Sequence, residues 1–382
     1  TYYHTDERRP LIVTMRNDSG IGTGYSTGPL RKETPVPPTP SYFVPLMPAR
    51  LLDTRDGTGG NVTPLGQGVF TELDVTGVGG VPETGVTAVV INVTVDGPTD
   101  FGYLSAWPSG EQQPLVASLN FHPGQTVPNL VTVKTGANGR VNIFNSAGNT
   151  NVVADVMGYY TDTPPPEGGR FTPLTPTRIL DTRDGTGQGG SIAPVAQGGV
   201  INVPVTGVGG VPPTGVSGVA LNVTVDQPTG FGYLTVWPTG GGQPLAATHN
   251  FVPGLTVGNL VLAKVGSGGQ VSIFNSAGST HVVADVVGYF STDGGRFVPV
   301  APQRLVDTRD GTGGVIGPVP GGTSVDVGLA TGSPVPASAK AVVVNVTSAD
   351  STLPSYVTAW PTAAGRPLAA TMNPRPGVPV PN

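Results

Sequence analysis

RLLDTRDGTGG at residues 50–60 returns as RILDTRDGTG at residues 178–187 and as RLVDTRDGTGG at residues 304–314. The leading arginines, Arg50, Arg178 and Arg304, are spaced 128 and then 126 residues apart. Solenoid and propeller repeats run at about 20 to 50 residues, so this period matches a whole domain copied in tandem. The 382 residues therefore read as an N-terminal segment, residues 1–40, followed by copies at 41–162, 168–292 and 295–382. Between the quoted stretches the copies also agree closely: AVVINVTVDGPTDFGYLSAWPSG in the first is GVALNVTVDQPTGFGYLTVWPTG in the second. The third copy is less regular, with Ala349 where the others carry Asp96 and Asp226. It reads as incomplete, because residues 130–160 and 260–290 have no counterpart after Asn382.

The chain contains 58 Gly and 41 Pro, near the range where disorder is the default reading, but 37% of it is apolar. Those apolar residues fall in short runs between Gly and Pro clusters, the pattern of many strands joined by tight turns. In the first copy the runs are 50–54, 70–75, 88–95, 103–107, 117–121, 130–134, 141–145 and 152–157. Eight short strands in one domain predict an all-β, jelly-roll-like sandwich, and three such domains predict a rod of modules after an extended N-terminal segment. Residues 88–95, AVVINVTV, are nearly all apolar and predict a central strand; residues 70–75, FTELDV, alternate and predict a strand with one wet face. The linkers TDTPPPEGG and STDGG are short and proline- or glycine-rich, which predicts semi-rigid spacers.

A formal charge of −5 with only four Lys argues against a nucleic-acid partner, since phosphate binding needs clustered cations. No apolar run is long enough to span a membrane, and the absence of Cys excludes disulfides and thiol chemistry. A start at Thr1 rather than Met reads as a processed product or fragment. Continuation beyond Asn382 with a segment like residues 130–160 is expected, in preference to strand donation by a neighbouring subunit.

DTRDG is the most charged recurring stretch in a chain only 11% charged. Its carboxylates are three apart and Arg55 sits where a calcium loop needs an oxygen, so no metal or other cofactor is expected there. The motif residues, Arg50, Asp53, Arg55 and Asp56, then Arg178, Asp181, Arg183 and Asp184, then Arg304, Asp307, Arg309 and Asp310, are expected to pair with one another and pin a strand end, with a weak calcium or sugar site as the alternative. Trp107, Trp237 and Trp360, each four residues after Tyr103, Tyr233 and Tyr356, are read as core or as platforms for stacking a glycan. Of the four Asn-Val-Thr triplets, those at Asn92, Asn222 and Asn345 lie inside the strongest strand, where a glycan has no room. The four His occupy non-equivalent positions and no Glu recurs in register, so no catalytic residue is expected.

The ordered set P-x-R-L-L-D-T-R-x-G, V-T-G-V-G-G-V-P, N-V-T-V, G-Y-L-T-V-W-P, L-N-F-x-P-G and H-V-V-A-D-V-x-G-Y-F resembles the tandem β-module of actinobacterial extracellular proteins, which also occurs in virion-appendage proteins of phages infecting those hosts. The resemblance covers residues 41–382 and implies surface display or adhesion. Residues 1–40 lie outside it and are read as an attachment segment contacting neighbouring subunits of a larger assembly, equally with a tail or extended arm. The reading is a non-enzymatic rod, fibre or spacer on an extracellular or virion surface, homo-oligomeric, with a host-surface glycan as its partner. The alternatives are wall-targeting modules of a secreted hydrolase and a ligand-free virion decoration protein.

Overall fold

The eight apolar runs of copy 1 become eight strands: β3 (Tyr42–Asp53), β4 (Val69–Asp74), β5 (Val86–Asp96), β6 (Gly102–Pro108), β7 (Leu119–Phe121), β8 (Thr126–Lys134), β9 (Arg140–Asn145) and β10 (Asn151–Thr161). They belong to a computed structural model that describes residues 15–17, 20–22, 40–300, 303–329 and 335–382. The chain divides into two compact units, Thr1–Pro37 and Pro38–Asn382. In the first unit β1 (Met15–Asn17) pairs antiparallel with β2 (Gly20–Gly22). Most of the attachment segment read from residues 1–40, including residues 11–14 of its strand-like run, lies outside the described residues.

Copy 1 forms two four-stranded antiparallel sheets, in the orders β3-β10-β5-β8 and β4-β9-β6-β7. First-eighth-third-sixth against second-seventh-fourth-fifth is the strand order of a jelly roll. Copy 2 repeats it with β11 (Arg170–Asp181), β12 (Val200–Pro204), β13 (Val216–Asp226), β14 (Gly232–Pro238), β15 (His249–Phe251), β16 (Val257–Lys264), β17 (Gln270–Asn275) and β18 (His281–Ser291). Each sandwich has its own core. In copy 1 Leu52, Val89, Ile91, Leu104, Ile143 and Val156 belong to it; in copy 2 Leu180, Leu221, Leu234, Ile273 and Val286 do.

β5 is interior to its sheet, as its composition predicts, but periodicity alone does not account for the burial of both its faces. Val89, Ile91, Val93 and Val95 face the core of their own sandwich. Ala88 and Val90 face the other way, into a second cluster with Phe43, Met157 and Tyr160 of copy 1 and Ala220, Leu262 and Phe290 of copy 2. The outer faces of the two large sheets are thus packed on each other. Phe43 is fully buried there, 4.4 Å from Phe290 and 5.1 Å from Tyr160 between ring centroids, and burying such a side chain contributes about 1.5 to 3 kcal/mol. The linkers, read from the sequence as semi-rigid spacers, join this seam: Phe43 N donates to Gly169 O at 2.9 Å and Phe171 N to Gly295 O at 2.8 Å.

The same contacts recur from copy to copy and close on themselves. Asn92 Nδ2 of copy 1 donates to Ala247 O of copy 2 at 2.7 Å, Asn222 Nδ2 of copy 2 donates to Ala370 O of copy 3, and Asn345 Nδ2 of copy 3 donates to Ala117 O of copy 1 at 3.1 Å. The donors are equivalent residues, and so are the acceptors. At the chain starts Phe43 meets Gly169, Phe171 meets Gly295 and Phe297 meets Ser41, again one step around a cycle. A head-to-tail contact that returns to its origin after three steps describes a pseudo-three-fold arrangement within one chain.

In copy 3 the described residues from 303 to 346 form no strand; β19 (Thr347–Ser348) pairs with β20 (Val380–Pro381), the register that Thr94 and Pro128 keep in copy 1. The topology explains this. β10 separates β3 from β5, and β9 separates β4 from β6, so without counterparts of those two strands the copy-3 equivalents of β3 and β4 have no neighbour, while the β5–β8 and β6–β7 pairings persist only as the short β19–β20 ladder and the Val357–Met372 bridge.

Candidate functional site: the DTRDG clamp and the aromatic faces

The DTRDG stretch begins at the end of β3, where the chain leaves the sheet in a tight turn. Gly57 N donates to Asp53 O at 2.9 Å, and Asp53 forms a bridge with Thr58. The Asp53 carboxylate is buried and surrounded by donors. Arg55 binds it through Nε at 2.8 Å and Nη2 at 2.7 Å, its own backbone N adds a third bond at 3.1 Å, and Arg50 Nη1 adds a fourth at 2.9 Å. Arg55 then reaches Asp96 at 3.1 Å, while Arg50 turns its Nε to Asp155 on β10 at 2.9 Å. Copy 2 repeats this with Arg178, Asp181, Arg183, Asp226 and Asp285. Two forked guanidiniums therefore tie a strand end to both neighbouring segments.

The charges respond accordingly. The Arg55 fork holds the Asp53 carboxyl below the usual carboxylate range, outweighing burial. At Asp181 burial is the larger influence and pushes upward, yet the bonds from Arg183 together leave it lowered. Asp155 and Asp285 go the other way: burial pushes them up, and Arg50 or Arg178 offsets only part of it.

One part of the sequence expectation needs correction. Asp56, Asp184 and Asp310 form no ion pair among the described residues; they are exposed, and each accepts the backbone N–H of the Thr two residues on, at 2.9 Å. Their place in the clamp is taken by Asp96 and Asp155 and by Asp226 and Asp285. A signal for Asp155 and Asp285 was present in the sequence, since an Asp inside the apolar VVADV strand requires a buried cation. In copy 3 Arg304 and Arg309 still bind Asp307, at 2.6 and 2.7 Å, and Asp307 still bridges Thr312. The turn thus forms from local sequence without the surrounding sheet.

The aromatic candidates separate by burial. Trp107 and Trp237 are buried, and their indole N–H groups donate to Glu111 O and Gly241 O, both at 3.1 Å; Trp360 donates likewise to Ala364 O at 3.1 Å and is partly buried. Trp107 and Trp237 are therefore covered and offer no platform for stacking. Tyr103, Tyr233 and Tyr356 remain 36%, 37% and 57% exposed. Tyr103 lies 6.3 Å from Phe144 and Tyr233 lies 6.2 Å from Phe274, on the outer face of the smaller sheet. Exposed Phe70 extends that face in copy 1, since it pairs with Phe144 across the β4–β9 ladder.

Among the described residues no three His, Asp or Glu side chains are grouped as metal ligands. His249 is buried against Val223 O at 2.7 Å, and burial pushes its pKa down to about 4, so it is a neutral core residue at pH 7. Asn92 and Asn222, the triplet asparagines of the two complete copies, are buried in the seams described above. Two cavities among the described residues, of about 250 and 180 Å³, flank the first linker around Pro165 and Gly168, and neither is lined by a DTRDG residue. No described helix is long and apolar enough to cross a membrane.

No family model and no curated protein matches this chain. Among solved structures it is similar to the N-terminal CBM22-1-CBM22-2 tandem domain of Xyn10C from Paenibacillus barcinonensis, at 10% identity and a TM-score of 0.19, over 65% of this chain and 99% of the other. It is also similar to the STIV MCP, at 9% identity and a TM-score of 0.17, over 66% and 97%. Superpositions this loose carry no argument about function.

Proposed function

We propose that the chain is a non-enzymatic binding and structural protein of an extracellular or virion surface, and that its repeated aromatic faces hold a surface glycan. The observation that carries this reading is the recurrence of a half-exposed Tyr beside a Phe at about 6 Å in both complete copies. The two rings, tilted 48° to each other in copy 1 and 52° in copy 2, line one apolar face, and the partly exposed Tyr ring can stack on a pyranose. The charged motif, by contrast, is satisfied internally: each carboxylate of the clamp is engaged by an arginine, so the clamp itself offers no free acid–base pair. Several weak platforms on one chain gain affinity through avidity. Residues 1–40 are the natural candidate for attachment to a larger assembly.

Binding of the full chain to purified actinobacterial cell-wall polysaccharide, measured by calorimetry, tests this. The expected result is saturable binding without release of reducing ends, weakened at least about tenfold by Tyr103→Ala with Tyr233→Ala. Binding unaffected by the double substitution, or sugar release by the wild type, would overturn it.

A further inference from the structure

The starts of the three copies pair with one another in a ring. Phe43 N donates to Gly169 O at 2.9 Å, Phe171 and Gly295 exchange two backbone bonds of 2.8 Å, and Ser41 and Phe297 exchange two of 2.6 and 2.8 Å. One residue along these antiparallel contacts, Tyr42 stands opposite Arg170, Arg170 opposite Arg296, and Arg296 opposite Tyr42. The three are the same position in the three copies, and residues that each face both of the others lie around the pseudo-three-fold axis. Residues opposite one another in an antiparallel pair have Cβ atoms about 5 Å apart and side chains on the same face. The adjacent Phe43, Phe171 and Phe297 pack into the aromatic seam, so strand alternation turns Tyr42, Arg170 and Arg296 the other way. The side chains agree with the backbone: the Arg170 and Arg296 guanidiniums lie 5.5 and 5.8 Å from the centroid of the one Tyr42 ring.

Two like charges directly opposite each other repel, and nothing in the chain offsets these two. Among the described residues neither guanidinium forms an ion pair or a hydrogen bond, and Glu167 and Asp293, the nearest acids in sequence, pair with neither. The four arginines of the two complete clamps, by contrast, all bind carboxylates. Arginine stays charged at any physiological pH. The Tyr42 ring attracts each guanidinium but leaves its N–H edges without acceptors. A carboxylate or phosphate group fits such a forked edge and would cancel the repulsion. Space adjoins it: a cavity of about 250 Å³ is lined by Tyr42, Pro164, Pro165, Gly168, Arg170 and Thr292. Arg170 is half-buried and Arg296 exposed, so the position is open to solutes.

We propose that this end of the pseudo-three-fold axis is an oxyanion site, in which Arg170 and Arg296 together donate to one carboxylate or phosphate group beside the Tyr42 ring. The site is independent of the exposed tyrosine platforms. Lying on the axis, it occurs once per chain.

Arginine Nε–H NMR resonances of the isotope-labelled full chain follow the two groups, each assigned by its disappearance in Arg170→Gln or Arg296→Gln. Titrations at constant pH and ionic strength use sodium phosphate, sodium glucuronate and uncharged glucose. The expected result is a saturable shift of both resonances at one shared Kd with phosphate or glucuronate and none with glucose, while the clamp arginines stay still. Tighter glucuronate binding assigns an acidic sugar; tighter phosphate binding assigns a free phosphate. In Arg296→Gln the affinity read at Arg170 should fall at least about tenfold. Arg296→Lys, which keeps the charge and loses the fork, should be intermediate and guards against a disturbed ring of chain starts. No saturable shift with either anion, or equal affinity at Arg170 in the wild type and Arg296→Gln, would remove the site.

Discussion

Asp181 and Asp184 stand three residues apart in one turn, and their surroundings predict opposite consequences of removing them. Asp181 is buried under two guanidiniums, so Asp181→Ala leaves Arg178 and Arg183 without a shared acceptor and should destabilise copy 2 by about 3 to 5 kcal/mol. Asp184 is exposed and accepts one backbone N–H, so Asp184→Ala should stay within about 1 kcal/mol of wild type. Urea unfolding monitored by tryptophan fluorescence distinguishes the two, and equal losses would refute the clamp. The clamp also has a pH signature. The lowered carboxyls, Asp53 and Asp181, contribute stability that is present above their unfolded pKa of about 3.9 and is lost as pH falls through the folded value. The raised carboxyls, Asp155 and Asp285, act in reverse: their contribution is present below the unfolded pKa and is lost as pH rises through the folded value. Stability should therefore hold or rise slightly from pH 7 to about 4 and fall steeply below. Asp285→Asn should flatten the upper part of that curve, and a monotonic wild-type decline beginning near pH 6 would contradict the assignment.

At the scale of the element, the DTRDGTG turn depends on its last glycine. Gly187 has a φ of +72°, and a Cβ there would lie 2.2 Å from Ile179 O, which is backbone and cannot move aside. Gly187→Ala should cost about 1 to 3 kcal/mol through the backbone strain alone and more through the clash; a thermal shift assay that finds no loss would show that the turn relaxes. The strands around this turn were legible in the sequence because they alternate or run apolar between Gly and Pro signals. The start of β3 was not. Its first residues, Tyr42 to Ala49, include Pro45 and Pro48, which read as breakers, and they join the sheet because β3 lies on its edge, where a missing N–H costs nothing. The partner of Asp155 was equally hidden, since Arg50 lies 105 residues away and no local pattern joins them. The covering of Ala88 and Val90 was legible only as burial, because what buries them belongs to another copy.

For the whole molecule, the cycle of seams makes a prediction that a string of separate modules does not. Ala117 of copy 1 and Asn345 of copy 3 are in contact although 228 residues apart. The chain has no Cys, so Ala117→Cys with Asn345→Cys introduces the only two thiols. A short thiol-specific cross-linker should join them within one molecule and yield a faster-migrating band on denaturing gels, even at low protein concentration. A pair placed at exposed Leu115 and Leu245 provides the control. Products that are exclusively intermolecular would show that the third step of the cycle does not close in solution.

The covalent linkage of three equivalent modules has a further consequence for what the axis can hold. Three identical subunits would present the same side chain three times wherever they meet, and would come apart on dilution. In a single polypeptide the partners are tethered at a high effective concentration and cannot dissociate from one another. Each copy is also free to diverge, so one equivalent position carries His122, Val252 and Arg375 in the three copies. Covalent linkage thereby permits copy-specific residues inside a pseudo-symmetric frame, which no homotrimer of the same module could carry.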